Sequence, residues 1–450
     1  MVRGVFGLGL EWLEEWIEGE SAKLSRGSSM EVALRLVIPL LLLILLVILS
    51  SGSPIQNQLT SKRLVEFYLG KIQRFNPVLK GIIEVNPDAM YQANKADSER
   101  KACSLSGLHG IPVLLKDNIG TKDKLNTTAG SLVLLGSVVP RDAGVVAKLR
   151  KAGAVVLGKA SLSEWANFRS LNAPNGWSAR DPCGSSSGSA ISVAVNLVAV
   201  ALGTETDGSI LCLASNSVVG IKPTVGLTSR AKVIPILPRQ DTIGPIGRTV
   251  SDAVYVLDAI AGFDYYDEST TDASKYIPRG GYNQFLKACG LKGKRLGMVR
   301  NPFFISGSGS GQVKAFEHHF QTLRQGCAVL IDHLEIANID VILNATLTGE
   351  ARTLLAEFKL SLNAYLKDLV VSPVRTLADV IFFNEKFSNL VRISAKGLFI
   401  SLVFACSGRG SGAHSFYDYS TGIYGIIAGN DQGIWPRHLS GSPNHKWNWQ

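Results

Sequence analysis

Histidine is scarce in this sequence, with seven residues in 450 and none between His109 and His318. A triad of serine, histidine and aspartate therefore has little material in the central part of the chain. Cysteine is also sparse and forms no CxxC pair, which excludes a zinc finger and favours isolated buried thiols. The six cysteines are Cys103, Cys183, Cys212, Cys289, Cys327 and Cys406.

Concentrated positive charge is absent as well. The formal net charge is +10, but lysine and arginine are scattered among aspartate and glutamate rather than collected in basic runs. We therefore expect no nucleic-acid partner. With 46% hydrophobic residues over 450 positions, the chain can bury a large core, and its length alone would allow two or three domains.

The most informative stretch covers residues 183–224. It opens with a Gly/Ser loop around Ser185, continues through an apolar segment and reaches a second loop of small residues that ends at Ser209. Loops of small residues let backbone N-H groups approach a substrate oxygen without obstruction. A helix and a strand between the two loops would bring the two serines together.

A serine needs a nearby base to become a nucleophile, and the lack of histidine leaves lysine for that role. Lys116 directly follows the apolar run at 111–115. A lysine at the end of a strand is most often a solvated charge. A base amine must instead be neutral, and burial beside an apolar strand favours the neutral form.

Several motifs surround the serine loop in a fixed order: GLHGIPVLLKDNI, TETDGSI, GIKPTVGLTSR and DTIGPIGRTVSDA. Together they resemble the amidase signature family of serine hydrolases, most closely its plant branch. The resemblance covers roughly residues 59–389 and extends to the A-type subunit of glutamyl-tRNA amidotransferase. It implies an α/β fold, an α/β/α sandwich in which a mixed central sheet is covered by helices on both faces.

The resemblance also implies the chemistry. Ser209 would be the nucleophile, Ser185, held by a cis peptide bond, the proton-relaying serine, and Lys116 the base. The backbone N-H groups of Thr206, Asp207, Gly208 and Ser209 would form the oxyanion hole. No metal and no cofactor would be needed.

Four features depart from the usual family pattern. Glu205 stands where the family usually has aspartate, and Asp207 where it usually has glycine. Leu213 replaces a proline in the segment after the nucleophile, and the connection at 178–180 is shorter than usual. These departures border the triad, where a small misplacement lowers the rate.

The pattern of apolar residues predicts alternating helices and strands, as in an α/β fold. A first helix begins at Ser61, turns Leu64, Phe67, Tyr68 and Ile72 inward, and stops at Asn76 and Pro77. Further helices are predicted at 143–152, 249–263 and 313–325, and strands at 111–115, at 154–157 and within 292–300.

Residues 1–53 form a leader with a signal peptide or membrane anchor. An apolar run begins at Leu36 and ends at Leu49, which is shorter than the ~20 residues of a membrane span. Arg35 before it and SSGS after it are typical of a secretory signal, which would start at Met30 if translation begins there. We expect an extracellular or vacuolar protein if the signal is cleaved, and otherwise membrane association through this run.

Residues 54–390 form the predicted amidase signature domain, whose C-terminal part is missing. From 391 to 450 the sequence is a tail rich in glycine and serine that does not resemble the family. The strands and helices that the family has at this point have no counterpart in the tail. We therefore expect a truncated family member.

The favoured function is hydrolysis of the carbon-nitrogen bond of a small amide through an acyl-enzyme. One alternative is a catalytically impaired or non-catalytic protein with the same fold. Another is a glutamine amidotransferase A-type subunit, which would require partner subunits and an organellar address. Labelling by a serine-reactive probe distinguishes the first alternative, and co-purifying partner subunits would indicate the second.

The leader generates one testable prediction. The mature chain should begin just after Gly52 or Ser53, because the small residues there follow the apolar run directly. N-terminal sequencing of protein from secreted or vacuolar material tests this. An intact Met1 on a soluble cytosolic protein would contradict it.

Overall fold

The computed structural model describes residues 59–100, 106–169, 184–303, 311–344, 347–388 and 391. The apolar run at 36–49, the short connection at 178–180 and the tail after 391 lie outside these residues. Within the described ranges, no helix has the length and apolar character needed to cross a membrane. The predicted signal or anchor stays a prediction.

Among the described residues, six strands form the central sheet: β1 (Ile82–Val85), β2 (Pro112–Lys116), β3 (Val155–Ala160), β4 (Val200–Glu205), β5 (Val219–Gly220) and β6 (Thr242–Gly247). Their order is β1, β3, β2, β4, β6, β5. β2 runs parallel to β3 and β4, whereas β1, β5 and β6 run antiparallel to their neighbours. The sheet is therefore mixed, as predicted.

Both faces of this sheet are covered. Every residue of β2, β3, β4 and β6 is buried, and successive side chains of a strand point to opposite faces. The helices in the described part of the chain are α1 (Ser61–Leu79), α2 (Ala89–Arg100), α3 (Gly144–Lys151), α4 (Ser187–Ala194), α5 (Val250–Ile260), α6 (Ser269–Ala273), α7 (Gly311–Gln325), α8 (Ile339–Ile342), α9 (Glu350–Asp368) and α10 (Leu377–Lys386). A two-stranded parallel sheet pairs β7 (Arg295–Gly297) with β8 (Val329–Ile331).

The predicted end of the first helix is wrong. α1 continues through Pro77 to Leu79. Asn76 explains the extension, because its carbonyl accepts a hydrogen bond from the Lys80 N-H at 2.7 Å and its side chain bonds both backbone groups of Ile82 at 2.8 and 2.9 Å. These contacts hold the last turn although proline contributes no N-H.

The buried face of α1 also differs from the prediction. Tyr68 and Ile72 are buried as expected, whereas Phe67 is 49% exposed and Val65 is completely buried. Val65, Tyr68 and Ile72 follow the helical period of three to four residues, and Phe67 lies beside that stripe.

The other predicted elements are present with shifted bounds. The helices predicted at 143–152, 249–263 and 313–325 correspond to α3, α5 and α7. The predicted strands correspond to β2, β3 and β7. The start of α5 is fixed by Thr249, whose side chain accepts a hydrogen bond from the Asp252 N-H.

A second cluster of buried side chains surrounds α9. Phe358 is completely buried, and its ring lies 4.8 Å from that of Phe168. The cluster includes Trp165, whose backbone N-H donates to the Ala129 carbonyl. The backbone N-H of Ala129 in turn donates to the backbone carbonyl of Asp117. This packing supports the segment that follows β2.

The prediction of isolated buried thiols is wrong for the cysteines that the structure describes. Cys212 is buried and disulfide-bonded, whereas Cys289 and Cys327 are free and exposed. The partner of Cys212 lies outside the described residues. Sequence spacing could not assign the disulfide, because pairing depends on the distance between residues in the fold.

Candidate active site

Lys116 lies at the end of β2 and is completely buried, unlike most lysines at strand ends. Its amine donates to the Ser185 hydroxyl at 2.8 Å, to the Ser186 hydroxyl at 2.9 Å and to the Thr204 carbonyl at 3.1 Å. The neighbouring strand β4 supplies the carbonyl, and the loop before α4 supplies the two hydroxyls.

Ser185 links Lys116 to the second serine. The peptide bond between Gly184 and Ser185 is cis, as the family resemblance implies, and Ser185 is 1% exposed. Its hydroxyl donates to the Ser209 hydroxyl at 2.8 Å. The three residues selected from the sequence therefore form one continuous hydrogen-bonded chain.

Ser209 lies in the turn that follows β4 and is only partly buried, so a substrate can reach it. Glu205 fixes this turn: its carboxylate, 3% exposed, accepts the N-H groups of Ile210 at 2.6 Å and Leu211 at 2.8 Å. The glutamate that departs from the usual family residue thus orders the backbone directly after Ser209.

The hydrogen bonds of Lys116 suit both of its protonation states. A charged lysine has three donors, and three oxygens accept them. In the neutral amine, two donors can remain on Ser186 and the Thr204 carbonyl while the lone pair faces Ser185. The Ser185 hydroxyl can then donate to Lys116 and accept from Ser209.

The sequence did not reveal two of the Lys116 partners. Ser186 is one of several serines in the loop and was not singled out from the sequence, and the Thr204 carbonyl belongs to the backbone, which carries no residue-specific signal. The serine-rich composition of the loop was the available hint for Ser186.

A further contact ties the second serine loop to the segment before β6. Thr206 donates to the Asp241 carboxylate at 2.7 Å, and this carboxylate also accepts the N-H groups of Ile236 at 2.8 Å and Leu237 at 3.1 Å. Burial raises the pKa of Asp241, and these hydrogen bonds oppose the rise. No sequence motif indicates this contact, because the two segments are far apart in the chain.

The four predicted oxyanion-hole residues, Thr206 to Ser209, follow one another in this turn, with Gly208 at a φ of +138°. The pKa of Asp207 is raised to about 6. The main cause is that protein atoms displace water from around its carboxyl, and the negative charges of Glu350, Glu205 and Asp241 add to the rise. Asp207 nevertheless remains exposed to solvent, so water moderates its charge. The assignment of the oxyanion hole stays a prediction.

A half-open cavity of about 210 Å³ adjoins this loop. Its lining includes Thr206 but not Lys116, Ser185 or Ser209, so the cavity lies beside Ser209 rather than around it. Its polar lining includes Asn118, Thr204, Thr206, Arg230, Asp241 and Tyr266.

Comparison with known proteins identifies the family. A family model described as Amidase matches residues 63–389. The chain belongs to the amidase family. Members hydrolyse amide carbon-nitrogen bonds, and a triad of two serines and a lysine is characteristic of them.

Individual relatives agree with this assignment. A probable amidase of Arabidopsis thaliana is 59% identical over 372 residues, which are 79% of this chain and 71% of the relative. The solved peptide amidase of Stenotrophomonas maltophilia is 42% identical with a TM-score of 0.68, covering 79% of this chain and 74% of that one. The A-type subunit of the glutamyl-tRNA(Gln) amidotransferase of Microcystis aeruginosa is 40% identical over 271 residues, 58% of this chain and 54% of the relative.

The amidase relatives are covered to different extents. The chain spans 71% of the length of the plant relative, but 60% and 54% of two fungal putative amidases.

The roles of Lys116, Ser185 and Ser209 remain predictions, which their geometry supports.

Asp207 provides a test of the predicted oxyanion hole. Above its pKa of about 6, its negative charge opposes a developing oxyanion nearby. We expect Asp207→Asn to raise kcat for amide hydrolysis about threefold at about pH 8, and to leave it unchanged at about pH 5, where Asp207 is already protonated.

Asp272→Asn is the matched control, since Asp272 lies on α6 in an exposed pair with Lys275. It should leave the pH dependence unchanged. A kcat for Asp207→Asn that is lower than that of the wild type at both pH values would contradict the prediction.

Proposed function

We propose that this chain is a serine amidase that hydrolyses the primary carboxamide of small, peptide-like substrates. The hydrogen-bonded chain from Lys116 through Ser185 to Ser209 carries the proposal of mechanism. The 42% identity to a peptide amidase supports the substrate class. The likeness to amidotransferase subunits covers less of the chain and gives that alternative weaker support.

In acylation, the Ser209 oxygen attacks the carbonyl carbon of the amide. The Ser209 proton passes to the Ser185 oxygen, and the Ser185 proton passes to the neutral Lys116 amine. Burial of Lys116 favours this neutral form before attack. The carbonyl oxygen becomes an oxyanion, for which the backbone N-H groups of the second loop are the proposed donors.

The tetrahedral intermediate then collapses. Lys116 returns a proton through Ser185 to the leaving nitrogen, the carbon-nitrogen bond breaks, and ammonia departs. The acyl group remains on Ser209 as an ester. Water attacks this ester and gives a proton through Ser185 to Lys116. Lys116 then returns a proton through Ser185 to the Ser209 oxygen as the carbon-oxygen bond breaks, which releases the acid and restores the Ser209 hydroxyl.

We also propose that the protein follows the secretory pathway. Disulfides persist mainly in oxidising compartments, so the disulfide of Cys212 supports this route. The same N-terminal sequencing that tests the predicted cleavage after Gly52 or Ser53 also tests this proposal.

The proposed activity can be tested by measuring ammonia released from a peptide amide. Ser209→Ala should lower the rate about 10⁴-fold or more, because the nucleophile is removed. Lys116→Met should have a similar effect, and Ser185→Ala should leave a residual rate about 10²-fold below that of the wild type.

Ser187→Ala is a matched control from the same loop. Ser187 is fully buried, and its hydroxyl has no hydrogen-bond partner among the residues that the structure describes, so its loss should leave the rate unchanged. Undiminished hydrolysis by Ser209→Ala would refute the mechanism. Release of ammonia from glutamine alone, and only with partner subunits present, would favour the amidotransferase alternative.

A further inference from the structure

The cavity of about 210 Å³ beside Ser209 has no role in the mechanism above. Two residues of its lining connect it to the site. The Thr204 carbonyl accepts a hydrogen bond from the Lys116 amine at 3.1 Å, and Thr206 lies in the turn that leads to Ser209. A substrate bound at Ser209 therefore has the cavity as its neighbour.

The wall of this cavity is largely apolar. Its volume would hold about seven water molecules at ~30 Å³ each, which is also room for a four-carbon stem with a polar group at its end. The lining thus suits a long aliphatic side chain. The apolar residues of the wall are Val233, Ile234, Pro235, Ile236, Pro238 and Ile243.

One carboxylate in the wall, that of Asp241, has no ion pair among the described residues. It accepts hydrogen bonds from the Thr206 hydroxyl at 2.7 Å, the Ile236 N-H at 2.8 Å and the Leu237 N-H at 3.1 Å. All three donors are uncharged. The negative charge of Asp241 is therefore solvated by neutral groups and is not neutralised by them.

The cations near the cavity have other partners. Arg230 lines the cavity, but its guanidinium donates to the Asp267 carboxylate at 2.6 and 2.8 Å, and its charge lowers the pKa of Asp241 less than the hydrogen bonds do. Arg141 contacts the Tyr266 ring, 3.6 Å from its centre, and is not part of the lining. With Asp241 ionised, the charged residues of the lining carry one negative charge in excess.

Asn118 provides a second acceptor in the same wall. It is 3% exposed, and its amide nitrogen donates to the Thr204 hydroxyl at 2.9 Å. Its Oδ1 has no hydrogen-bond partner among the residues that the structure describes. A buried acceptor without a donor is costly, so a ligand that donates to this oxygen gains affinity.

We propose that this cavity binds a positively charged, lysine-like side chain on the substrate residue whose carboxamide is hydrolysed. The aliphatic stem lies against the apolar wall, and the ammonium donates to the Asp241 carboxylate and the Asn118 oxygen. This inference rests on the proposed function, in which ammonia is the leaving group. Every other part of the substrate then belongs to the acyl group on Ser209.

The test compares ammonia release from the N-acetylated amides of lysine, norleucine and glutamate. Acetylation removes the charge of the α-amine, and norleucine has the four-carbon stem of lysine without its ammonium. We expect kcat/KM for the lysine amide to exceed that for the norleucine amide about tenfold, because one charge-assisted contact is gained. The glutamate amide should be the poorest of the three, because its charge is repelled.

Two substitutions should move the ratio of lysine to norleucine in opposite directions. Asp241→Asn removes the charge and keeps one acceptor oxygen, so the ratio should fall to about one. Asn118→Asp adds a carboxylate to the wall, so the ratio should rise about threefold or more. Each ratio compares two substrates of one protein, so a general loss of activity or a change in the Lys116 base cancels.

Asp272→Asn is the matched control. Asp272 forms an exposed pair with Lys275, so its loss should leave the ratio unchanged. Fluorophosphonate labelling of Ser209 identifies the variants that retain the folded site. If Asp241→Asn is not labelled, the ratio of the wild type and its change in Asn118→Asp decide.

A wild-type protein that hydrolyses the norleucine or glutamate amide faster than the lysine amide would overturn this inference and leave the proposed function intact. Labelled variants whose ratios do not move in opposite directions would do the same. A protein that is labelled at Ser209 but releases ammonia from none of the three amides would overturn both.

Discussion

The candidate site depends on keeping the Lys116 amine away from water. Complete burial at the end of β2 favours the neutral amine that a base requires, and three oxygens replace the water that it loses. β4 provides one of these oxygens and the loop before α4 the other two. The order of strands in the sheet, with β2 beside β4, is therefore what assembles the chemistry.

The two departures from the usual family pattern in the second serine loop have different consequences. Glu205 retains an ordering role, because its carboxylate binds the two N-H groups that follow Ser209. Asp207 instead brings a carboxyl, with its pKa raised to about 6, next to the predicted oxyanion hole. The first departure preserves the geometry of the turn, and the second changes its electrostatics.

The sequence predicted the mixed α/β fold and the three residues that the structure brings together, because motifs and their order carry that information. It did not predict Ser186 or the Thr204 carbonyl as partners of Lys116, nor the contact between Thr206 and Asp241, since these depend on distances between segments far apart in the chain. Asn76 extended α1 through Pro77 by bonding to Ile82, a contact that helix propensity does not encode.

The central claim is that Ser209 carries the acyl group during turnover. Mass spectrometric mapping of protein quenched with acid while it hydrolyses a peptide amide tests this directly. We expect an acyl ester on Ser209 that is absent in Lys116→Met. An acyl group on another serine, such as Ser185 or Ser186, would contradict it.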